Sequence, residues 1–227
     1  MTAAELKEFL FQKVISYRSF WNDPAVVFPD DQSPIAAAKL FSGSDHRILE
    51  LGAGWGEFCI ALMEQNPETD YTVFEIKPER IRSLLKKARG RNIHRLRVIP
   101  VNFNWFLETI LPPQAYNEVF INFPDPWPKR RHWKHRLIQN DFPARLSLLL
   151  KEGALVHVAT DYGPYARRIL GVFRRAQNFS SLYSDPEFER ERPSGRPESR
   201  FESMQRAAGK RPYFMSWQYR RGNGRED

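Results

Sequence analysis

An aspartate between two prolines, Asp125, stands in the most distinctive segment of the chain, which reads NFPDPWPKRRH over residues 122–132. A proline ring fixes φ at about −65° and restricts the preceding residue to extended geometry, so this loop is stiff before any ligand arrives. The apolar residues 119–121 predict a buried strand ahead of the loop, and ligands bind at the carboxyl ends of strands in open α/β sheets. The pattern predicts a site where a rigid carboxylate meets a planar base and the adjacent cations hold a phosphate backbone.

Each half of this segment also has a plainer interpretation. A proline-rich turn often only ends a strand, and a run of charges is usually a solvated face. Because the two halves abut within a single loop, we favour a ligand site over either alternative.

A glycine-rich turn, ELGAGWGEF over residues 50–58, follows the first predicted core strand and opens a helix. Glycine permits positive φ and close approach of a ligand to the backbone, although such a turn can also be only a tight strand-to-helix connection. The acidic residue Glu75 ends the next strand about twenty residues later, where related folds place a carboxylate on ribose hydroxyls. Together they predict a nucleoside-containing cofactor. Because no second glycine turn or phosphate-binding lysine appears, adenosine carrying an amino acid fits best, and Glu50 could meet its cationic amino-acid portion.

The composition indicates one folded domain with a nucleic-acid partner. The 227 residues carry a net charge of +8 with a pI of about 9.7, which favours a polyanion. No apolar stretch approaches the roughly 20 residues that cross a bilayer, and the start lacks a secretory layout, so we expect a cytoplasmic protein without membrane contact. No cluster has metal-ligand spacing. Three basic clusters stand out: Lys129, Arg130, Arg131, Lys134 and Arg136; Arg190, Arg192, Arg196 and Arg200; and Arg220, Arg221 and Arg225.

Strand and helix patterns alternate along the chain, which predicts a parallel sheet covered by helices on both faces. We expect an N-terminal helical segment over residues 1–41, with a helix at 3–17, and one compact domain over 42–227. The predicted strands are 47–51, 71–75, 96–100, 118–122, 155–159, 180–183 and 213–219. The predicted helices are 35–41, 58–66, 78–89, 105–111, 136–150 and 165–176. Residues 185–210 are predicted to form a long functional loop that is helical in part.

These motifs together resemble the bacterial tRNA (guanine-N7-)-methyltransferase family. The matching segments are residues 50–56, Phe-Glu-Ile at 74–76, residues 122–132, Ala-Thr-Asp at 159–161 and Ser-Arg-Phe-Glu at 199–202. The resemblance implies an α/β, seven-strand Rossmann-like methyltransferase fold that uses S-adenosylmethionine to methylate N7 of a guanine in tRNA. It leaves open whether the protein is a monomer or a homodimer.

Carried over by position, the resemblance implies three groups of site residues. Asp125 is the expected catalytic residue. The cofactor-binding residues are expected to be Glu50, Gly52, Gly54, Glu75, Asn102 and Asp125. The substrate-binding residues are expected to be Lys129, Asp161, Ser199, Arg200, Phe201 and Glu202. Asn102 stands where the family usually has aspartate, but its carbonyl can still accept a hydrogen bond from an adenine amino group.

Two of these acids also have structural interpretations, since Asp161 could cap the following helix and Glu202 could be a solvated loop residue. Two alternatives for the whole protein also stay open. One is a methyltransferase paralogue acting on another RNA or protein nitrogen. The other is a non-catalytic, RNA-binding methyltransferase-like subunit.

Overall fold

A computed structural model describes residues 21–30, 33–91 and 93–222, together with Glu5, Glu8 and Gln12. Apart from those three positions, the helix predicted at 3–17 lies outside the described residues. The boundary predicted at residue 41 stays a prediction. Among the described residues, no helix is long and apolar enough to cross a membrane.

The seven strands form a mostly parallel sheet, which confirms the predicted fold class. Only β7 runs antiparallel to its two neighbours, β5 and β6. The strand order is β3-β2-β1-β4-β5-β7-β6. The strands are β1 Arg47–Leu51, β2 Asp70–Phe74, β3 Leu96–Ile99, β4 Tyr116–Asn122, β5 Leu150–Thr160, β6 Phe179–Ser181 and β7 Tyr213–Tyr219.

Seven α-helices and one 3-10 helix alternate with these strands in the described part of the chain. The α-helices are α1 Ala37–Leu40, α2 Glu57–Gln65, α3 Pro78–Gly90, α4 Phe103–Ile110, α5 Phe142–Ser147, α6 Gly163–Phe173 and α7 Arg200–Ala207. The 3-10 helix covers Arg130–His135 and makes up most of the basic run after Asp125.

The chain divides into two compact units, Met1–Pro113 and Gln114–Asp227. In the first unit, β1 and β2 pair in parallel so that Leu51 lies opposite Phe74. All five residues of β2 are buried, as expected for a strand with neighbours on both sides and covered faces. The ends of β1 and β2 therefore lie side by side, and the glycine turn leaves from one of them.

In the second unit, β4 and β5 pair in parallel so that Asn122 lies opposite Ala159. The segments after these two residues, which carry Asp125 and Asp161, therefore leave the same edge of the sheet. Helix α6 packs against this sheet, where the Phe173 ring stacks on Trp217 of β7 with ring centroids 4.0 Å apart. This buried stack anchors helix α6 to the antiparallel strand.

One predicted element is wrong. The helix expected over 136–150 is replaced by the 3-10 helix, a connection and the short α5. Arg136 has extended backbone with ψ 137°, and Pro143 stands in the first turn of α5, where its missing N–H costs nothing. Strand β5 also begins earlier than predicted, because residues 150–154, of which only residue 150 belonged to a predicted element, form its first part. Gly153 has a φ of 79° there, and the pairing with β4 is irregular nearby.

Candidate active site

The glycine turn of the first unit is held against the end of β2 by backbone hydrogen bonds. The amides of Gly52 and Ala53 both donate to the carbonyl of Phe74, at 3.0 and 2.9 Å. Glycines 52, 54 and 56 all have positive φ, at 88°, 61° and 84°. The turn therefore depends on residues that adopt left-handed geometry without steric penalty.

Glu75 is the buried acidic residue that fixes this turn. Its Oε2 accepts a hydrogen bond from the Gly54 amide at 2.9 Å, and its Oε1 accepts from the amides of Ile76 and Lys77. A carboxylate oxygen can accept two hydrogen bonds. Among the described residues, Oε2 accepts one, from the Gly54 amide, and Nη1 of Arg80 lies 3.6 Å away. Glu75 can therefore order the turn and still accept a hydroxyl group of a ligand.

The three glycines have different surroundings, and these surroundings show whether the turn has room for a cofactor. A Cβ added at Gly52 or at Gly54 would meet no atom within 4 Å. A Cβ added at Gly56 would lie 2.4 Å from Cδ1 of Leu84 on α3. Gly52 and Gly54 therefore border open space, as a nucleoside cofactor requires, whereas Gly56 is needed for helix packing.

We expect Gly56→Ala to lower the stability of the protein, because the new methyl group meets buried Leu84 and the backbone must keep a left-handed φ. Overpacking and backbone incompatibility together should cost about 2–4 kcal/mol in chemical unfolding. Adding Leu84→Ala should not restore full stability, because the φ strain persists and a cavity replaces the clash. Wild-type stability of Gly56→Ala would contradict this account.

Two further predicted cofactor residues lie at element ends of the same unit. Glu50 is buried near the end of β1. Asn102 caps α4, and its side-chain oxygen accepts from the Asn104 amide at 3.0 Å. The oxygen predicted to face an adenine amino group thus already satisfies one amide of the helix N-terminus. That oxygen has a second lone pair, with which it can accept the predicted hydrogen bond from the adenine amino group.

In the second unit, the loop after β4 has an unusual backbone. Phe123 and Trp127, the residues on either side of the Pro-Asp-Pro element, both have positive φ, at 51° and 40°. The Phe123 amide continues the sheet by donating to the Ala159 carbonyl at 2.8 Å. Asp125 lies between these two fixed points and is exposed, as a residue that meets a ligand should be.

Arg136, predicted to belong to a solvent-facing basic cluster, is buried beneath this loop. Its Nε donates to the Pro126 carbonyl at 2.7 Å, and its Nη2 lies 3.4 Å from the Trp127 carbonyl. The guanidinium is flanked by the rings of Trp133 and Tyr165, with centroids 4.7 and 4.8 Å away. Arg136 therefore supplies hydrogen-bond donors to a proline-rich loop that has few of its own. It binds this loop and not a phosphate.

Tyr165 of α6 completes the support for the loop. Its hydroxyl oxygen accepts from the Ile138 amide at 3.1 Å. Burial raises the pKa of Tyr165 to about 12, and the nearby carboxylate of Asp125 acts in the same direction. The phenol therefore stays protonated at neutral pH, and Tyr165 contributes an uncharged floor under the loop.

The remaining cations of the first basic cluster do face outward. Lys129, Arg130, Arg131 and Lys134 are all exposed. Trp133 lies among them and is 41% exposed, with the Arg130 guanidinium 5.7 Å from its ring centroid. An exposed aromatic ring between arginines suits a base-stacking contact next to phosphates.

Asp161 lies just after β5, and its carboxylate is bonded to Lys210 Nζ at 2.9 Å. The N-cap of α6 is Tyr162, which makes no side-chain cap bond, so the helix-capping interpretation of Asp161 is wrong. With its side chain mostly covered, Asp161 is a paired carboxylate at the same sheet edge as the Asp125 loop.

The segment Ser199–Glu202 begins helix α7 inside the stretch predicted as a long loop. Ser199 is the N-cap and its Oγ accepts from the Glu202 amide at 3.1 Å, as in half of a capping box. Glu202 is buried, and its Oε1 accepts from Arg206 Nε at 2.9 Å. The interpretation of Glu202 as a solvated acid is therefore wrong.

Between these two, Arg200 and Phe201 are exposed. The Phe201 ring lies 5.0 Å from the ring of Phe123, centroid to centroid. This contact brings the start of α7 against the loop that carries Asp125. Sequence analysis missed Arg136 as a loop support, and it missed the capping box, although the Ser-x-x-Glu spacing could have indicated it.

Known methyltransferases are similar to this chain over most of its length. A family model described as "Putative methyltransferase" matches residues 44–215. The tRNA (guanine-N(7)-)-methyltransferase of Leptospira interrogans serogroup Icterohaemorrhagiae serovar copenhageni is 41% identical over 187 residues, covering 81% of this chain and 85% of that protein. The enzyme of the same name from Nitrosomonas eutropha is 36% identical over 179 residues, covering 79% of each.

Two solved structures are similar in fold. The antibiotic-resistance methyltransferase Kmr superimposes with a TM-score of 0.53 at 16% identity, covering 80% of this chain and 90% of that one. A 30S ribosomal A1408 methyltransferase from an uncultured bacterium gives a TM-score of 0.52 at 12% identity, covering 85% and 98%. At these identities the likeness concerns the fold alone.

Proposed function

The chain belongs to the bacterial tRNA (guanine-N(7)-)-methyltransferase family, and from this premise we propose how its residues share the tasks of the reaction. The reaction is the transfer of a methyl group from S-adenosylmethionine to N7 of a guanine in tRNA. When bound, S-adenosylmethionine supplies an electrophilic methyl group on a positively charged sulfur. The protein must hold the two substrates, orient them and favour the charge that develops.

The first unit provides the residues that bind the cofactor. Gly52 and Gly54 offer bare backbone toward open space, and Glu75 accepts a ribose hydroxyl. Glu50 and Asn102 are proposed to bind the amino-acid and adenine ends. The observation that supports this assignment is the open space beside Gly52 and Gly54, which lies next to a Glu75 oxygen that can accept a further hydrogen bond.

Asp125 is proposed as the catalytic residue of the second unit and as a neighbour of the cofactor. Guanine N7 carries a lone pair directed out of the ring, so no base is needed to create the nucleophile. The methylated ring is cationic, and a carboxylate held in place before the reaction favours that charge. Arg136 fixes two carbonyls directly after Asp125, so the backbone that carries this carboxylate is held in place.

The remaining residues are proposed to bind tRNA. Lys129 meets a phosphate, while Asp161 accepts from the guanine N–H groups that adenine does not offer in the same pattern. Phe201 and Arg200 face the substrate from the start of α7. Ser199 and Glu202 contribute by shaping that helix start, since their polar atoms are already engaged within the protein.

The proposal is tested by radiolabelled methyl transfer from S-adenosylmethionine to bulk tRNA, followed by nucleoside analysis. We expect 7-methylguanosine as the labelled nucleoside. A different labelled nucleoside, or label in added protein, would identify a paralogue with another substrate. Tight tRNA binding without any transfer would identify a non-catalytic RNA-binding subunit instead.

A further inference from the structure

We propose that the tRNA-docking surface of the second unit extends from the 3-10 helix to two arginines at α6, Arg168 and Arg175, which bind phosphates of the tRNA backbone. This inference rests on the proposed function and adds a binding site to it. We call the four exposed cations Lys129, Arg130, Arg131 and Lys134 the strip, and Arg168 with Arg175 the α6 pair.

The α6 pair converges on one neutral atom. Arg168 Nη2 donates to Asn140 Oδ1 at 2.9 Å, and Arg175 Nη2 donates to the same oxygen at 3.1 Å. Among the residues that the structure describes, no carboxylate lies within 4.0 Å of either guanidinium. Two like charges are thus held close together with no acid to balance them, which is the arrangement that an anion stabilises.

The α6 pair is continuous with the strip. Arg136 lies between Trp133 of the 3-10 helix and Tyr165 of α6. Gln139 donates to the carbonyls of Trp133 and Arg136, at 2.6 and 3.0 Å, and Asn140 follows directly. These contacts place the strip and the α6 pair on one connected part of the second unit. The strip and the α6 pair are therefore linked through neighbouring residues of the second unit, Gln139 and Asn140.

The second basic cluster, at residues 190–200, is used differently. Arg192 faces Glu198 at 3.5 Å, and Arg190 lies 3.7 Å from the centroid of the Tyr213 ring. Arg196 donates to Asn122 and lies over Phe120. Because these charges hold residues 185–199 against the sheet, the cluster at 190–200 is a poorer phosphate site than its sequence indicates.

RNA phosphates are the occupant that this charge pattern favours. Neutralising phosphates with arginine releases counterions, so each contact adds close to one unit to the slope of log K against log salt. The α6 pair has the rigid, bidentate donors that phosphate geometry prefers. Unlike a small anion, a polyanion can engage the strip and the α6 pair together.

The test compares two double variants that remove the same charge. Arg168→Gln with Arg175→Gln removes the α6 pair. Arg174→Gln with Arg211→Gln removes two arginines of the same unit that are paired with Glu187 and Glu191. Affinity for tRNA is measured over a range of KCl concentrations. We expect the first variant to reduce the salt slope by about 2 units and the control to reduce it by less than about 0.5.

Asn140→Asp provides a second variant that keeps both arginines. A carboxylate at the point of convergence would pair with both guanidiniums, so we expect a reduced slope and weaker tRNA binding with thermal stability retained.

Equal slopes for the two double variants, or an unchanged slope for the α6 pair and for Asn140→Asp, would overturn the α6 site while tRNA methylation by the wild type stands. Absence of tRNA binding by the wild-type protein would instead overturn the proposed function, and the α6 site with it.

Discussion

Asp125→Ala is expected to lower the rate of 7-methylguanosine formation on the order of 10²–10³-fold, the usual cost of removing one preorganised electrostatic group. The loop around it should keep its shape, because Arg136 bonds the carbonyls of Pro126 and Trp127 and the side chain of Asp125 takes no part in those bonds. The measurement is single-turnover methyl transfer with saturating tRNA and cofactor, alongside thermal melting.

Two further variants sharpen this result. Asp125→Asn keeps hydrogen bonding without charge, so it should recover little activity if charge matters and more if only a contact with guanine matters. Asp141→Ala removes another exposed carboxylate of the same unit, which faces Arg145 at 3.9 Å, and should leave the rate near that of the wild type. Full activity of Asp125→Ala would remove this residue from the mechanism even if the enzyme methylates tRNA.

Glu75→Ala is expected to weaken S-adenosylmethionine binding by about 1.5–3 kcal/mol, roughly 10- to 150-fold in Kd. The substitution removes the acceptor proposed for the ribose and also leaves three amides without their bonds, those of Gly54, Ile76 and Lys77. Calorimetry of cofactor binding measures the effect. Glu79→Ala, an exposed acid in the first turn of α3, is the matched control and should bind cofactor normally.

Glu75→Gln separates the two oxygens of this carboxylate. Its amide oxygen can still accept from Ile76 and Lys77, but its amide nitrogen can accept neither from Gly54 nor from a ribose hydroxyl. A loss close to that of Glu75→Ala would indicate that the contacts of Oε2 dominate, whereas a small loss would indicate that the bonds to Ile76 and Lys77 do. Cofactor affinity equal to wild type in Glu75→Ala would show that the assignment of Glu75 is wrong.

Sequence patterns predicted the sheet well, because each buried strand is a short run of mostly apolar residues. The strands at 47–51 and 213–219 have the bounds that were expected, and the other five overlap their predictions. The glycine turn was also predictable, since positive φ restricts the choice of residue. By contrast, the helix expected at 136–150 does not form, because Arg136 has extended backbone where it supports the Asp125 loop and Pro143 lies in the first turn of a shorter helix.

The tasks of individual charged residues could not be predicted in the same way. In the sequence, Arg136 looks like its basic neighbours, and only its burial against Tyr165 separates it from them. The role of Glu202 likewise follows from its ion pair with Arg206, one helical turn later, and from the fold around it. Arg168 and Arg175 are scattered in the sequence but meet at Asn140. The charged residues of a sequence together indicate the kind of partner, whereas the role of each one depends on its tertiary contacts.

The left-handed backbone of Phe123 and Trp127 has an energetic consequence. A non-glycine residue in this region costs of the order of 1–3 kcal/mol, a sizeable fraction of the roughly 5–15 kcal/mol that stabilises a typical domain. The second unit accepts this cost during folding, before any tRNA arrives. Binding energy from the substrate then need not be used to order the loop, and it remains for orienting guanine. A loop that is ordered in advance is thus obtained at the expense of some stability of the folded protein.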